Sequence, residues 1–330
     1  MSSQEAPDQP VSSQPTPPSD ASHKSFLTST FGVFVLALIS TFLWGSAFPS
    51  IKIGYQLFSI AQTDMASQML FAGARFTLAG MGVIICMSLV RRQPLTLNKR
   101  SIPSALLLAL FQTTLQYIFF YLGLSYASGV TSSIISAAGT FFCILLSALV
   151  FKLEHLTARK LLGCAIGFAG VALVSMGQGG HVTFSLLGEG SILISTLAGA
   201  IAACLIQIFS HQGEDPVALS GWQFLAGGIT LIICGIALGG KLQPTSFWAH
   251  VLIAYMAFIS AAAYSIWSVL LAHNPVSRVT IFGFFNPVFG TILSVCLLGE
   301  AGLISPAILI ASLILASLGI IVVNKAPARG

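Results

Sequence analysis

Charge is the scarcest property of this sequence. Asp, Glu, Lys and Arg make up 7% of the 330 residues while 55% are hydrophobic, against roughly 25% charged in an average soluble domain, and the mean hydropathy is +0.92. That excludes an ordinary water-soluble domain and reads as an integral membrane protein. Acids are scarcer than bases, 9 against 14, and none falls near the middle of an apolar run. A proton relay through a membrane usually needs a protonatable group at depth, so proton coupling finds little support and facilitated movement stays open. The six cysteines, Cys86, Cys143, Cys164, Cys204, Cys234 and Cys296, stand singly inside apolar runs without CxxC spacing. They read as small buried hydrophobes, and no disulfide, metal site or cofactor is implied. The histidines fall in the tail, in turns or at span ends, so a membrane enzyme lacks a His/Asp/Ser or paired-acid constellation at one depth.

Long apolar runs fill the space that charge leaves. Residues 1–25 are rich in Ser, Pro and Gln and are expected to form a disordered tail rather than a domain, because they bury too little to offset the entropy of ordering. Each following span needs about 20 apolar residues to cross about 30 Å of hydrocarbon. Ten are expected, at about 31–55, 68–90, 102–124, 130–151, 160–176, 187–210, 217–238, 247–272, 278–298 and 303–323. The segment Val130 to Val174, with Glu154 in its charged turn, recurs as Val279 to Val323 with Glu300 in the corresponding turn. Span 7 also echoes span 2: Arg75-Phe76 is followed by Ile84-Ile85-Cys86, and Gln223-Phe224 by Ile232-Ile233-Cys234 at the same spacing.

Basic residues fix the threading. With the amino terminus in the cytoplasm, Lys24, Arg91, Arg92, Lys99, Arg100, Lys152, Arg159, Lys160, Arg278, Lys325 and Arg329 are inside, and only Lys241 is in an outer loop. This positive-inside asymmetry predicts a multi-pass inner (cytoplasmic) membrane protein with both termini cytoplasmic. The +5 net charge is a topology signal, not a nucleic-acid footprint. Five spans per half is an odd number, so the halves run in opposite directions. The expected fold is all-α, ten transmembrane helices as two inverted five-helix repeats, 31–177 and 187–324. Inverted repeats place a site at their interface and support alternating access.

Several residues then resemble a known family. Trp44-Gly45-Ser46 with Lys52, Ala74-Arg75-Phe76, Glu154 with Gly163 and Gly170, and Asn286-Pro287 with Glu300 resemble the drug/metabolite transporter superfamily, in its ten-span group of two EamA domains. The resemblance covers about residues 31–324 and implies export of a small metabolite. Two departures stand out: Phe141 falls where the family often has proline, and Ser312, Ala316 and Gly319 replace Gly163, Gly167 and Gly170 in the second copy.

The candidate solute pathway is Trp44, Lys52, Arg75, Gln112, Gln116, Tyr117, Tyr264, Trp267 and Asn286. Arg75, about 8 residues inside span 2, is costly in lipid and faces either a cavity or a structural partner; Lys52 can also snorkel outward. Gln112 and Gln116 at i, i+4 are expected on one helical face, as pathway lining or interhelical glue, with Tyr117 alongside. Tyr264 and Trp267 lie within one turn of span 8, and aromatics with a few polar groups suit an amphipathic solute or an ordinary core. Pro287 frees a carbonyl that Asn286 can satisfy, which makes span 9 the bent member and span 4 the smoother one. The small-residue faces of spans 5 and 10 are expected to clamp the halves; the alternative is a homodimer interface, so monomer and homodimer both stand. The leading expectation is an exporter of small amphipathic metabolites such as amino acids, with an importer or a receptor or scaffold subunit as alternatives.

Overall fold

The computed structural model describes residues 26–126, 135–176, 185–298 and 305–324, and among them every regular element is a helix. In chain order these are α1 Thr30–Leu57, α2 Met65–Arg91, α3, α4, α5 Ala158–Met176, α6 Glu189–His211, α7 Pro216–Ala237, α8 Phe247–His273, α9 and α10 Pro306–Asn324. Three helices change pitch. In α3, Ile102–Leu108 passes through a wide π turn at Ala109–Leu115 into Gln116–Tyr126; α4 runs from Gly139–Leu145 into a π turn at Leu146–Val150; α9 passes from Val276–Thr280 through a 3-10 turn at Ile281–Phe284 to Phe285–Leu298. Among the described residues eight helices are long and apolar enough to cross a membrane, and Ile135–Val150 is a shorter apolar helix. The tail and Glu300 lie outside the described residues.

Helix starts follow local chemistry. Asp64 accepts from the Ser67 amide at 3.0 Å to open α2, and Asp215 accepts from the Val217 and Ala218 amides at 2.9 and 3.3 Å to open α7 behind Pro216. Each satisfies amides that the first helical turn leaves without partners.

The packing has the symmetry of two inverted halves. Helix α2 packs on α7 and α5 on α10, pairs that map onto themselves when the repeats are exchanged. Helix α1 packs on α8 and α9 as α6 packs on α3 and α4, and α2 packs on α8 as α7 packs on α3. Small residues permit the self-paired contacts. A Cβ at Gly73 would lie 2.8 Å from the Gly228 carbonyl oxygen, one at Gly80 would lie 2.5 Å from the Leu225 amide, and one at Gly228 would lie 2.5 Å from the Thr77 amide. In α5 and α10 the relation is reciprocal: Gly163 and Gly319 each face the other's carbonyl, at 2.8 and 2.6 Å. The small faces of spans 5 and 10 therefore join the halves to each other.

Loop contacts sort the chain ends into two faces. One gathers Arg91 donating to Asp215, the Trp222 indole donating to the Leu95 carbonyl at 2.9 Å, and Asn274 donating to the Leu27 carbonyl at 3.0 Å. The same face holds Glu154, which accepts from Ser147 Oγ at 2.5 Å, Lys160 Nζ at 2.8 Å, and the Ser277 amide and hydroxyl at 3.0 and 2.5 Å. Glu154 thus ties the α4–α5 turn to the start of α9. The opposite face pairs the Thr245 amide with the Leu57 carbonyl at 2.9 Å and the Lys241 amide with Ser67 Oγ at 2.9 Å. Among the described residues, Arg91, Lys160 and Arg278 lie on the first of these faces. Span 4 is not smooth: it turns at Ala138 just before Gly139 and widens at Leu146–Val150, because without a proline small residues and a pitch change accommodate the bend.

Two outcomes test this packing. Gly80→Leu would push into the α7 backbone, whereas a Cβ at Gly82, two residues on, meets nothing within 4 Å. Gly80→Leu should abolish the monodisperse peak in detergent gel filtration and Gly82→Leu should preserve it. At the basic face, burial raises the Asp215 carboxyl, but the hydrogen bond from Arg91, the two cap amides and the Arg91 charge outweigh it and hold the group below its usual value. A depressed folded pKa gives stability that is present above the unfolded value of about 3.9 and lost as pH falls through the folded value. Asp215→Ala should therefore lower thermal stability by about 1 kcal/mol near neutral pH, and the gap from the unmodified chain should narrow below about pH 4, as read by melting curves across pH.

Candidate solute site

The site grows out of the α2–α7 contact. Because the two helices approach backbone to backbone, Phe76 and Phe224 stack across the axis with centroids 5.2 Å apart and planes 6° from parallel. Tyr117 of α3 meets Phe76 edge to face at 4.5 Å, and Tyr264 of α8 meets Phe224 in the same way at 4.9 Å. The two tyrosine hydroxyls lie 3.2 Å apart. Four rings thus form a square that exchanging the repeats maps onto itself.

Arg75 breaks the symmetry of the square. Helix α2 begins at Met65, three residues before the expected start, so Arg75 is about 15 Å along the helix at 1.5 Å per residue and is 5% exposed. Its Nη2 donates to the Tyr117 hydroxyl at 3.4 Å, and the guanidinium carbon lies 4.3 Å from the Phe76 ring centre and 5.7 Å from that of Tyr117. Its Nε has no partner. In the other repeat the same position is Gln223, fully buried, whose side-chain oxygen accepts from Thr113 at 2.8 Å.

On the α8 side the ring system continues into α1. Trp44 lies 4.8 Å from Tyr264 and 4.9 Å from Trp267, edge to face with both. Its position follows from Gly45, where a Cβ would lie 2.5 Å from that of Phe289, so that α1 and α9 nearly touch. Asn286, one turn before Gly290 on α9, has a buried Oδ1 without a partner, and Trp44 Nε1 is buried in the same condition. Trp44, Arg75, Tyr117, Tyr264 and Trp267 are thus one connected chain of contacts, with Asn286 beside the crossing that seats Trp44.

The remaining candidates are Lys52, Gln112 and Gln116. Lys52 is exposed on α1, as expected of a long side chain that can carry its charge outward. No hydrogen bond joins Gln112 to Gln116 among the described residues, and Gln112 lies within the π turn at Ala109–Leu115 that Gln116 closes. Gln116 instead packs against α6, where a Cβ at Gly199 would lie 3.2 Å from its side chain, and its carbonyl accepts from Ser195 at 2.6 Å. Gln112 is buried, with Oε1 lacking a partner. Pitch changes of this kind are frequent at functional sites. The Phe76–Phe224 stack was available in the sequence as the Arg75-Phe76 and Gln223-Phe224 echo, once the echoing helices are seen to pack on each other.

These features define the class: an all-helical membrane protein of two inverted repeats with an aromatic, partly unsatisfied polar interior on its axis. The chain belongs to the EamA-like transporter family, whose model matches residues 31–176 and 186–324. It is similar to the "Probable amino-acid metabolite efflux pump" of Escherichia coli (strain K12), 28% identical over 285 residues that cover 81% of this chain and 87% of that protein. It is equally similar to the "Uncharacterized transporter YvbV" of Bacillus subtilis (strain 168), 28% identical over 298 residues, 87% of this chain and 91% of that protein. A solved crystal structure superimposes with a TM-score of 0.74 at 17% identity, covering 90% of this chain and 97% of the other. The protein is a membrane-embedded transporter.

The Tyr117–Tyr264 link gives a direct test. Tyr264→Phe removes only the bond between the tyrosines and should cost about 0.5–1.5 kcal/mol, Tyr117→Phe also removes the bond from Arg75 and should cost more, and the double change should cost little more than Tyr117→Phe alone. Melting of the three variants in detergent measures this; strictly additive losses would mean that the hydroxyls act separately.

Proposed function

We propose that this transporter exports small amphipathic metabolites, amino acids or close relatives, by rocking two inverted halves about the α2–α7 axis. The observation that carries the reading is the run of buried, unsatisfied polar atoms beside aromatic faces: Trp44 Nε1 and Arg75 Nε as donors, Asn286 Oδ1 as acceptor. In a bilayer such atoms are costly unless something satisfies them. A solute bearing both donors and acceptors on a small apolar body is complementary to this set, and the rings supply the apolar wall. The name of the Escherichia coli relative supports both the solute class and the outward direction. The basic face, which holds the α2–α3, α4–α5 and α8–α9 turns, is assigned to the cytoplasm by the positive-inside rule.

Cells overproducing the chain should tolerate toxic levels of selected amino acids or analogues, and everted vesicles should accumulate the same solute when labelled. Trp44→Ala and Asn286→Ala should each lower the initial uptake rate by about 10-fold or more, equivalent to about 1.4 kcal/mol, at unchanged membrane abundance. Wild-type rates in both variants would remove these residues from the pathway. Uptake by right-side-out vesicles without a matching flux in everted ones would favour import.

A further inference from the structure

We propose that Arg75 is the carboxylate reader of this site, so that the transported solute must carry a carboxylate while its amine is dispensable. The proposal rests on the transport reading above and names the chemistry of the solute. A guanidinium has five N–H donors, yet Arg75 makes one long hydrogen bond, to a neutral phenol, and two ring contacts. Two ion pairs, Arg91 with Asp215 and Lys160 with Glu154, lie at the basic face, and neither neutralises Arg75. No backbone carbonyl accepts from it among the described residues, whereas a purely structural buried arginine would be held by such carbonyls.

The second repeat supplies the comparison. Gln223 fills the equivalent place, fully buried, its side-chain oxygen accepting from Thr113 while its Nε2 has no partner, so this fold closes around a neutral side chain at that position. The positive charge in the first repeat is an addition to the fold. An uncompensated buried charge is strongly unfavourable, and a carboxylate is the group that pairs with arginine through two parallel hydrogen bonds. For a solute amine the site offers only neutral groups, the Asn286 oxygen and the Trp44 and Tyr264 rings. An ammonium is accommodated there without a countercharge to demand it.

Trp44 and Trp267 flank the site, so intrinsic fluorescence of the purified full-length chain in detergent reports binding. Four probes of one body separate the two charges: phenylalanine, N-acetylphenylalanine, phenylalaninamide and phenethylamine. The two carboxylates should bind at least about 10-fold more tightly than the amide and the amine, in line with a charge-assisted pair. Arg75→Gln, which installs the second repeat's own residue, should bring all four within about 3-fold of one another, and Arg75→Lys should keep part of the preference. Phenethylamine binding as tightly as phenylalanine to the unmodified chain would overturn the carboxylate assignment and leave export intact. So would an undiminished preference in a folded Arg75→Gln chain. If Arg75→Gln does not fold, the charge is structural and the proposal fails. If none of the four probes binds, the aromatic-carboxylate assignment falls, while resistance to other solutes in the screen above would still support transport.

Discussion

The close approach of α2 and α7 is the contact on which the interior depends. Glycines on both helices let the backbones meet, and small-residue interfaces are how helices associate in lipid, where apolar burial gives no drive. Once Gly73 and Gly80 rest against α7, Phe76 and Phe224 have no place but the axis, where they stack. Tyr117 and Tyr264 then close the square from α3 and α8. A larger residue in the seam would meet the facing backbone, and at Gly228 the Thr77 hydroxyl as well.

Symmetry divides scaffold from chemistry. The seams, the stack and the tyrosine pair have counterparts in both repeats, and each is explained by packing. The departures are Arg75 against Gln223 and the Trp44–Trp267 contact on the α8 side. Those departures place a charge and an indole donor where the duplicated fold does not require them, which is why they, and not the symmetric rings, carry the solute assignment.

Much of the architecture was legible in the sequence because membrane physics leaves few options. Hydropathy, the odd number of spans per half and the one-sided Lys and Arg count lead to inverted repeats, and the loop contacts place Arg91, Lys160 and Arg278 on one face. The small faces of α5 and α10 were legible from spacing alone. Less legible was anything that depends on pitch. Gln112 and Gln116 are four residues apart, and nothing in that spacing signals the π turn that Gln112 lies in and Gln116 closes. The smoothness expected of span 4 from its lack of proline failed for the same reason. Lys52 shows a different limit: a residue number within a span does not say whether a long side chain turns inward or outward.

The two kinds of contact also carry different duties in the proposed transport cycle. If exchanging the conformations of the two repeats converts one access state into the other, contacts that map onto themselves, α2 with α7 and α5 with α10, can persist through the exchange. Contacts that map onto a different pair, α1 with α8 and α9 against α6 with α3 and α4, are the ones whose geometry must trade places. The pitch changes fall in that second group, in α3, α4 and α9, and Trp44 and Asn286 sit at its α1–α9 crossing. Glu154 holds α4 and α9 together at the basic face through Ser147 and Ser277. The groups proposed to read the solute therefore sit at the boundary between the persistent seam and the exchanging helices, where, in the proposed cycle, a small rotation would change access without dismantling the ring square beside Arg75.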